Sequence, residues 1–384
     1  MEVSQVYEIV NGAAEQTLGR ENPVAEDMSN LIDIGNEVFN NEAVDKWVKS
    51  LINRIGKVKF VNRGYKSTAP SIMMDDWEFG SILEKIRSEM PKATENESWN
   101  LTPGATYDPN MFYGNVARAK FFNKMTTFEV PLSLAPMQIK QSFTSATQLN
   151  AFTSMLQNEV NKTMTVAFDD LKMRTLNNMI GETFYHTFGS SAYTGAGSAK
   201  CINLLKRYND LHNKSLTAEE AITDPSFLRF ATVQMDLTFS RLTKMSTVFN
   251  IGARERFTPL ELQHFVMLAD FKAATDVYLQ STTFHDSYTK LREAEEIPFW
   301  QGSGTGYGFD TVSKIYLTTV DGHDVEAGGI LAVLFDHEAL GMHGYNERTT
   351  SNWNGKAEFT NYWYKRDARY FNDFDENFVV FYVA

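Results

Sequence analysis

Residues 149–180 read LNAFTSMLQNEVNKTMTVAFDDLKMRTLNNMI, and this run says more about the architecture than any other part of the chain. It lies inside a stretch of 44 residues, 137–180, that contains neither glycine nor proline. Apolar side chains recur there at steps of three and four, as on one face of a helix: Phe152, Leu156, Val160, Met164, Ala167 and Leu171, continued by Met179, Ile180 and Phe184. The spacing predicts one amphipathic helix over residues 145–186, about 60 Å long. Two shorter helices joined at Thr163 or at Asp169-Asp170 are the alternative.

The chain before this helix has two different characters. Residues 1–60 predict a mostly helical arm, with an amphipathic helix from Leu31 towards Ile55. After a loop, a short helix is expected from Asp75 or Asp76 to Ser88. Alternating side chains over Lys120–Val130 predict a strand that forms one arm of a long ribbon. Because an isolated ribbon is only marginally stable in water, we expect it to lie across a neighbouring surface.

The second half of the chain alternates helices and strands. Asp224-Pro225 predicts an N-cap and a first-turn proline for a helix reaching about Phe249, and Asp270 predicts the cap of a helix through Leu279. A glycine-rich loop is expected from Pro298 to Phe309. The predicted strands are His264–Leu268, Val312–Thr319, Ile330–Phe335 and Asn377–Ala384.

Composition excludes several classes of protein. The 384 residues suggest about two or three domains, and 43% hydrophobic residues exclude disorder throughout. The net charge of −12 argues against a surface built to grip nucleic acid phosphates. The single cysteine, Cys201, excludes an intramolecular disulfide and a cysteine-based zinc site. No secretory signal is expected, and no apolar run approaches the roughly 20 residues of a membrane helix.

The candidate catalytic and binding motifs are each incomplete. Gly302–Gly308 lacks the glycine at the last step of a dinucleotide-binding fingerprint and precedes a strand, so a surface loop is favoured. His337 is followed four residues later by Gly341, where a zinc-binding helix needs its second histidine. Asp373–Asn377 resembles the start of a calcium loop but lacks its glycine, which favours a charged turn. Cys201 is interpreted as a small buried residue. We therefore predict no enzyme activity, cofactor or metal site.

Aromatic, methionine and arginine residues cluster in segments without core periodicity. These residue types are enriched at protein–protein interfaces and among the residues that dominate binding. The sequence therefore predicts contacts between subunits. The candidate contact residues are Arg63, Tyr65, Lys66, Trp77, Phe112, Tyr113, Trp363 and Arg366.

The order of arm, loop, long helix and mixed second half resembles the major capsid protein of tailed bacteriophages, which has the Hong Kong 97-like fold. Within that family the chain is most similar to capsid proteins of small podoviruses of Gram-positive hosts. Short stretches distributed over most of the chain carry this resemblance: Arg63–Met73, Ala93–Glu97, Glu255–Pro259, Asp270–Gln280, and Tyr370–Asp373 with Glu376–Val380.

The resemblance implies an α+β fold with four parts. These are an N-terminal arm (1–58), an elongated β-loop (59–135), a peripheral domain carrying the long spine helix (136–215, joined by 346–384) and an axial domain (216–345). A lysine–asparagine crosslink motif of some relatives is not matched here. No cleaved N-terminal scaffolding segment is evident, so the resemblance implies a separate scaffold or none.

The resemblance also implies function and partners. Copies of the chain would assemble in the host bacterial cytoplasm into pentamers and hexamers of an icosahedral head. The head would enclose double-stranded DNA without specific recognition, and scaffolding and portal proteins would be further partners. Three alternatives remain open: an encapsulin-type shell around enzymes, another virion component such as a tail or connector protein, and a hydrolase with a dispersed site.

Overall fold

The structure, a computed structural model, describes residues 3–21, 23–25, 29–30, 33–34, 36–37, 63–74, 82–95, 103–104, 110–135, 146–280, 292–301, 306–320 and 322–384. The chain divides into two compact units. The first comprises Met1–Arg63 and Phe143–Asn158, and the second comprises Gly64–Ser142 and Glu159–Ala384.

The first unit has a small apolar core beside helix α1 (Val3–Leu18). Ala14, Val24 and Ile34 are buried together in this core. The backbone N–H of Val24 donates to Asn11 Oδ1 at 3.0 Å, which fixes the segment after α1 against that helix. Most of the arm helix predicted from Leu31 lies outside the described residues.

The predicted long helix is confirmed as α2, which runs without interruption from Ala146 to Phe188. Within the second unit, Val160, Met164 and Leu171 of the predicted stripe are buried, and Met179, Ile180 and Phe184 are fully buried. The helix therefore carries the apolar face that its spacing indicated.

A five-stranded sheet with strand order β4-β12-β9-β5-β6 forms the centre of the largest hydrophobic core. Every residue of β9 (Ile330–Asp336) and of β12 (Phe378–Tyr382) is buried, as in a strand covered on both faces. The predictions for these two strands and for β5 (Gln263–Leu268) are confirmed. The other two strands are β4 (Cys201–Asn203) and β6 (Glu295–Ile297).

A second sheet joins β3 (Met125–Leu134) to the long hairpin of β10 (Leu340–Asn354) and β11 (Phe359–Asn372). Both pairings are antiparallel. Phe128 of β3 packs against Phe168 of α2 with ring centroids 5.5 Å apart. This sheet is thereby fixed to the long helix.

Strands β1 (Leu83–Ser88) and β2 (Ala117–Phe122) form a separate antiparallel ribbon. Two predictions are corrected here. Leu83–Ser88 is a strand, not the end of a helix, because it pairs with β2 along its whole length. The strand predicted over Lys120–Val130 is two strands, because the chain leaves β2 at Asn123-Lys124 and β3 pairs with β11 instead.

Shorter elements complete the second unit: α3 (Leu204–His212), α4 (Ala218–Thr223), α5 (Pro225–Leu242), α6 (Ala269–Gln280), α7 (Phe309–Val312), β7 (Ile315–Thr318) and β8 (Asp324–Ala327). Asp224 caps α5 as predicted, accepting from the N–H groups of Ser226 and Phe227. That helix ends at Leu242, earlier than expected, because the Leu242 carbonyl instead accepts from the N–H of Thr258.

Two further predictions in this half are corrected. In the segment Val312–Thr319, expected to be a strand, Val312 ends helix α7 and Ser313 follows it in a turn, so the strand starts only at Ile315. Asp270 lies in the first turn of α6 and is not its cap, because the helix begins at Ala269. Within the described residues, no helix has the length and apolar character needed to cross a membrane.

Candidate intersubunit surface

The β1–β2 ribbon is fixed to the rest of the second unit by ion pairs on one face. Lys120 Nζ lies 2.8 Å from Asp373 Oδ1 and 3.0 Å from Asp375 Oδ2. Lys85 Nζ lies 2.9 Å from Glu338 Oε2 and 4.3 Å from the centre of the Phe371 ring. Alternation along a strand brings these cations to one side of the ribbon.

The acidic partners lie mainly in the turn Asp373–Asn377, which confirms the charged turn predicted in place of a calcium loop. Glu376 Oε1 is 3.0 Å from Arg87 and 3.3 Å from Arg256. Burial nevertheless raises the pKa of Glu376, since desolvation outweighs the two guanidinium groups. Burial alone would lower the pKa of Lys120, but its bonds to Asp373 and Asp375 raise it. The turn is therefore an electrostatic anchor for the ribbon.

The opposite face of the ribbon is exposed and largely apolar, with two polar residues on it, Glu84 beside Phe121 and Ser88 beside Ala117. Ile86 of β1 pairs with Ala119 of β2, and Phe121 lies one step along the same face, and all three are exposed. The adjoining Ile82 is exposed as well. A contiguous exposed apolar face on a folded protein marks a site of interaction with another molecule.

Exposed aromatic and sulfur-containing side chains continue beyond the paired strands. The ladder extends by one bond, from the N–H of Glu89 to the carbonyl of Val116 at 2.8 Å. Beyond this bond, Met90 is exposed in the segment after β1. In the segment before β2, Met111 is exposed, Phe112 is 92% exposed and Tyr113 is 83% exposed. These are large apolar groups that the described part of the chain leaves in solvent.

The structure brings together only some of the predicted contact residues. Phe112 and Tyr113 are adjacent and exposed beyond the ribbon. Arg63, Tyr65 and Lys66 are exposed in a separate extended segment, 63–70. Trp77 lies outside the described residues.

Two predicted contact residues lie in β11 and are half-buried. Trp363 pairs with Pro131 of β3 and with Thr350 of β10. The Arg366 guanidinium lies 4.4 Å from the centre of the Phe168 ring. Both side chains therefore already have neighbours in their own chain.

The motif reasoning missed Lys85, Ile86, Lys120 and Phe121, which make the two faces of the ribbon. The sequence of β1, LEKIRS, gives little signal for these faces, because its apolar side chains do not alternate with period two. Exposure alternates strictly along the strand only once it has paired with β2.

The cysteine, the histidines and the aspartate of α2 described next have ordinary structural surroundings. Cys201 is buried, as interpreted, and burial raises the pKa of its thiol. His337 Nδ1 lies 2.9 Å from His264 Nε2, and His343 Nδ1 lies 2.7 Å from the Met74 carbonyl oxygen. Asp169 accepts from Ser67 Oγ at 2.5 Å, tying the segment 63–70 to α2. Within the described ranges, no group of three or more His, Cys, Asp or Glu residues could hold a metal ion.

An anchored ribbon with one exposed, largely apolar face is typical of a surface that contacts another protein. The sequence matches the family described as Phi29-like phage major capsid protein over residues 8–382. The chain therefore belongs to this family and is a phage major capsid protein, a self-assembling component of the virion shell.

Solved phage structures share the fold at low sequence identity. A chain of the capsid of Staphylococcus phage Andhra aligns with a TM-score of 0.54 and 9% identity, covering 86% of this chain and 87% of that one. A chain from the structure of the head fiber and inner core protein gp22 of native bacteriophage P68 aligns with a TM-score of 0.52 and 9% identity, covering 86% and 88%. No curated protein sequence gives a significant match.

Proposed function

We propose that copies of this chain form the pentamers and hexamers of an icosahedral phage head with a Hong Kong 97-like architecture. In this proposal residues 1–58 are the N-terminal arm and 59–135 the elongated β-loop. Residues 136–215 with 346–384 form the peripheral domain, and 216–345 form the axial domain. The resemblance of the sequence to capsid proteins of small podoviruses of Gram-positive hosts supports the narrower assignment.

The bare face of the β1–β2 ribbon is the observation that carries the proposal. Lys85 and Lys120 hold one face against the second unit, so the face with Ile86 and Phe121 is directed away from it. Burying a large apolar side chain stabilises a contact by about 1.5–3 kcal/mol. A neighbouring copy that covers this face would therefore gain several such contributions at once.

The proposed contacts are heterologous, meaning that different surfaces of each copy meet. Such contacts form closed assemblies when the rotation between successive copies brings the last copy back to the first, and otherwise continue as open filaments. Each subunit would place its ribbon over one neighbour and its arm against another. Several moderate contacts per subunit then make dissociation slow, because breaking one leaves the others in place.

In this proposal the remaining partners are DNA, scaffolding proteins and portal proteins. A net charge of −12 suits a container that encloses double-stranded DNA and releases it without binding it. In this proposal the chain assembles in the host bacterial cytoplasm, with scaffolding and portal proteins as partners. The side chains of the chain would contact DNA without reading its sequence.

The test is electron microscopy of the chain expressed with its neighbouring gene products, combined with one pair of variants. Ile86→Asp places a charge on the bare face of the ribbon. Leu211→Asp is the control and places a charge on α3, and the side chains of Ile86 and Leu211 are each 66% exposed. Both variants should fold with thermal stability close to that of the unmodified chain, as exposed substitutions usually do.

We expect closed shells from the unmodified chain and from Leu211→Asp, and unassembled subunits from Ile86→Asp. Shells formed equally well by Ile86→Asp would contradict the role of the ribbon. A small monodisperse species from the unmodified chain, with or without neighbouring gene products, would contradict the shell itself. Ring-shaped oligomers alone would indicate a tail or connector component.

A further inference from the structure

The second unit contains a cavity of about 470 Å³ between α2, the loop after β6, β7 and β11. Cavities of about 300–1,000 Å³ are the size that holds compact organic ligands, so this one has room for one or two aromatic rings. Its apolar wall includes Met173, Phe299, Trp300 and Leu317. The rest of the lining carries charged and amide side chains, including Asp170, Arg174 and Asn178, so the site fits aromatic groups of which one also offers a polar atom, as tyrosine does.

The wall is held in place by hydrogen bonds of its own residues. Trp300 Nε1 donates to the Ile330 carbonyl at 2.8 Å, and the side-chain amide of Gln301 pairs with both backbone groups of Tyr316. The N–H of Val320 donates to Asn178 Oδ1 at 3.1 Å. A cavity with such a fixed wall does not need to be ordered when a group enters, which favours binding.

The rim of the cavity carries a cation suited to an aromatic ring. Arg174 is exposed on α2, and its guanidinium carbon lies 5.7 Å from the centre of the Tyr370 ring. Guanidinium groups stack on aromatic faces, so a second ring could lie against Arg174 from the open side.

The same chain exposes a pair of aromatic groups with matching chemistry. Phe112 and Tyr113 lie in the segment that leads into β2 and are almost wholly in solvent. They therefore do not fill the cavity of their own chain. Aromatic side chains that insert into pockets are the usual energetic centres of protein interfaces.

We propose that Phe112 and Tyr113 of one copy insert into the cavity beside Trp300 and Arg174 of a neighbouring copy. This inference rests on the proposed function, because it needs copies to meet in a shell. It adds the receiving site, which the ribbon alone does not define. The two surfaces are different parts of the chain, as a heterologous contact requires.

Disulfide trapping tests this contact without altering either aromatic residue. One chain carries Met111→Cys, next to the aromatic pair, and a second chain carries Val320→Cys in the cavity lining. The control partner carries Val233→Cys on α5, outside the cavity lining. It is matched in exposure, since Val320 is 52% exposed and Val233 is 55% exposed. The native Cys201 is buried and common to all the chains.

The chains are co-assembled in pairs, the shells are oxidised, and crosslinked dimers are measured on non-reducing gels. We expect a dimer from Met111→Cys with Val320→Cys, at least about tenfold more abundant than with Val233→Cys, because disulfides need Cβ atoms about 3.5–4.5 Å apart.

Three results overturn the inference while leaving the proposed function intact, provided that shells form. They are no dimer with Val320→Cys, an equal dimer with Val233→Cys, and a dominant dimer from Met111→Cys chains alone. Failure of the unmodified chain to form shells would instead overturn the proposed function, and this inference with it.

Discussion

The anchor of the β1–β2 ribbon gives the sharpest single prediction, for the substitution Lys120→Met. Lys120 Nζ bonds to Asp373 at 2.8 Å and to Asp375 at 3.0 Å. The Asp373 side chain is only 3% exposed, and the other cation near it, Lys85, is 3.9 Å away. Methionine keeps the length and apolar stem of lysine but leaves the Asp373 carboxylate without its main partner.

The magnitude follows from the burial of the two partners. A hydrogen bond to a charged group contributes roughly 1.5–3 kcal/mol. The Lys120 side chain is 39% exposed, so solvent screens part of this and about 1–2 kcal/mol is expected. That free energy corresponds to a roughly 5- to 30-fold increase in the opening equilibrium of the ribbon.

Native-state hydrogen exchange of the amides of β1 and β2 measures this opening directly. Lys206→Met is the matched control, because Lys206 pairs with Asp210 at 2.6 Å one helical turn away, with both side chains about half exposed. Such a surface pair contributes about 0.3–0.5 kcal/mol at most. Unchanged protection of β1 and β2 in Lys120→Met, or an equal loss in Lys206→Met, would refute the anchor.

Three further predictions concern stability. Gly329→Ala should lower Tm far more than Gly322→Ala. Both glycines have positive φ, so an alanine in that left-handed conformation destabilises the fold by about 1–2 kcal/mol at either position. Of the two, Gly329 is the one at which a Cβ would lie 1.9 Å from a backbone oxygen, that of Val383. Equal losses of Tm would contradict the packing around that glycine. The bond from Arg348 lowers the pKa of Asp367 to about 2, so its stabilisation is full above its usual pKa and lost as pH falls through about 2. Arg348→Met should therefore lower the urea midpoint of unfolding at neutral pH and change it little near pH 2. A loss of the same size at both pH values would disprove the linkage. Burial lowers the pKa of His264 from its usual value of 6.5, and the neighbouring His337 lowers it further. The unfolded chain therefore binds a proton more readily than the folded one, and stability should fall as pH drops below 6.5. His264→Gln should make Tm depend less on pH in that range, and parallel curves of Tm against pH for the two chains would contradict this.

Local sequence was sufficient where one element determines its own structure. Helix α2 was predictable because its apolar stripe, including Val160 and Leu171, repeats without glycine or proline over many turns. Strands β9 and β12 were predictable because they are short apolar runs between turn residues. In these elements propensity and burial point to the same structure.

Sequence was insufficient where a distant partner decides the structure. Leu83–Ser88 contains leucine, glutamate and lysine, which favour helices, but pairing with β2 makes it a strand. The alternation over Lys120–Val130 continues through Asn123-Lys124, so nothing local shows that the chain changes sheets there.

The candidate surface was predictable in kind but not in detail. Residue type selected Phe112 and Tyr113 as contact candidates, and the fold leaves both side chains exposed. It also selected Trp363 and Arg366, which are half-buried within their own chain. The anchoring of Lys120 by Asp373 joins residues about 250 positions apart, and only the folded chain reveals that one ribbon face is thereby left bare.

A reconstruction of the assembled particle by electron cryomicroscopy tests the central claim most directly. The map must be detailed enough to trace β1 and β2 in every subunit. The account predicts closed shells in which Ile86 and Phe121 of each ribbon are buried against an adjacent copy. Closed shells in which this ribbon face remains in solvent, or a particle built without contacts from β1 and β2, would contradict it.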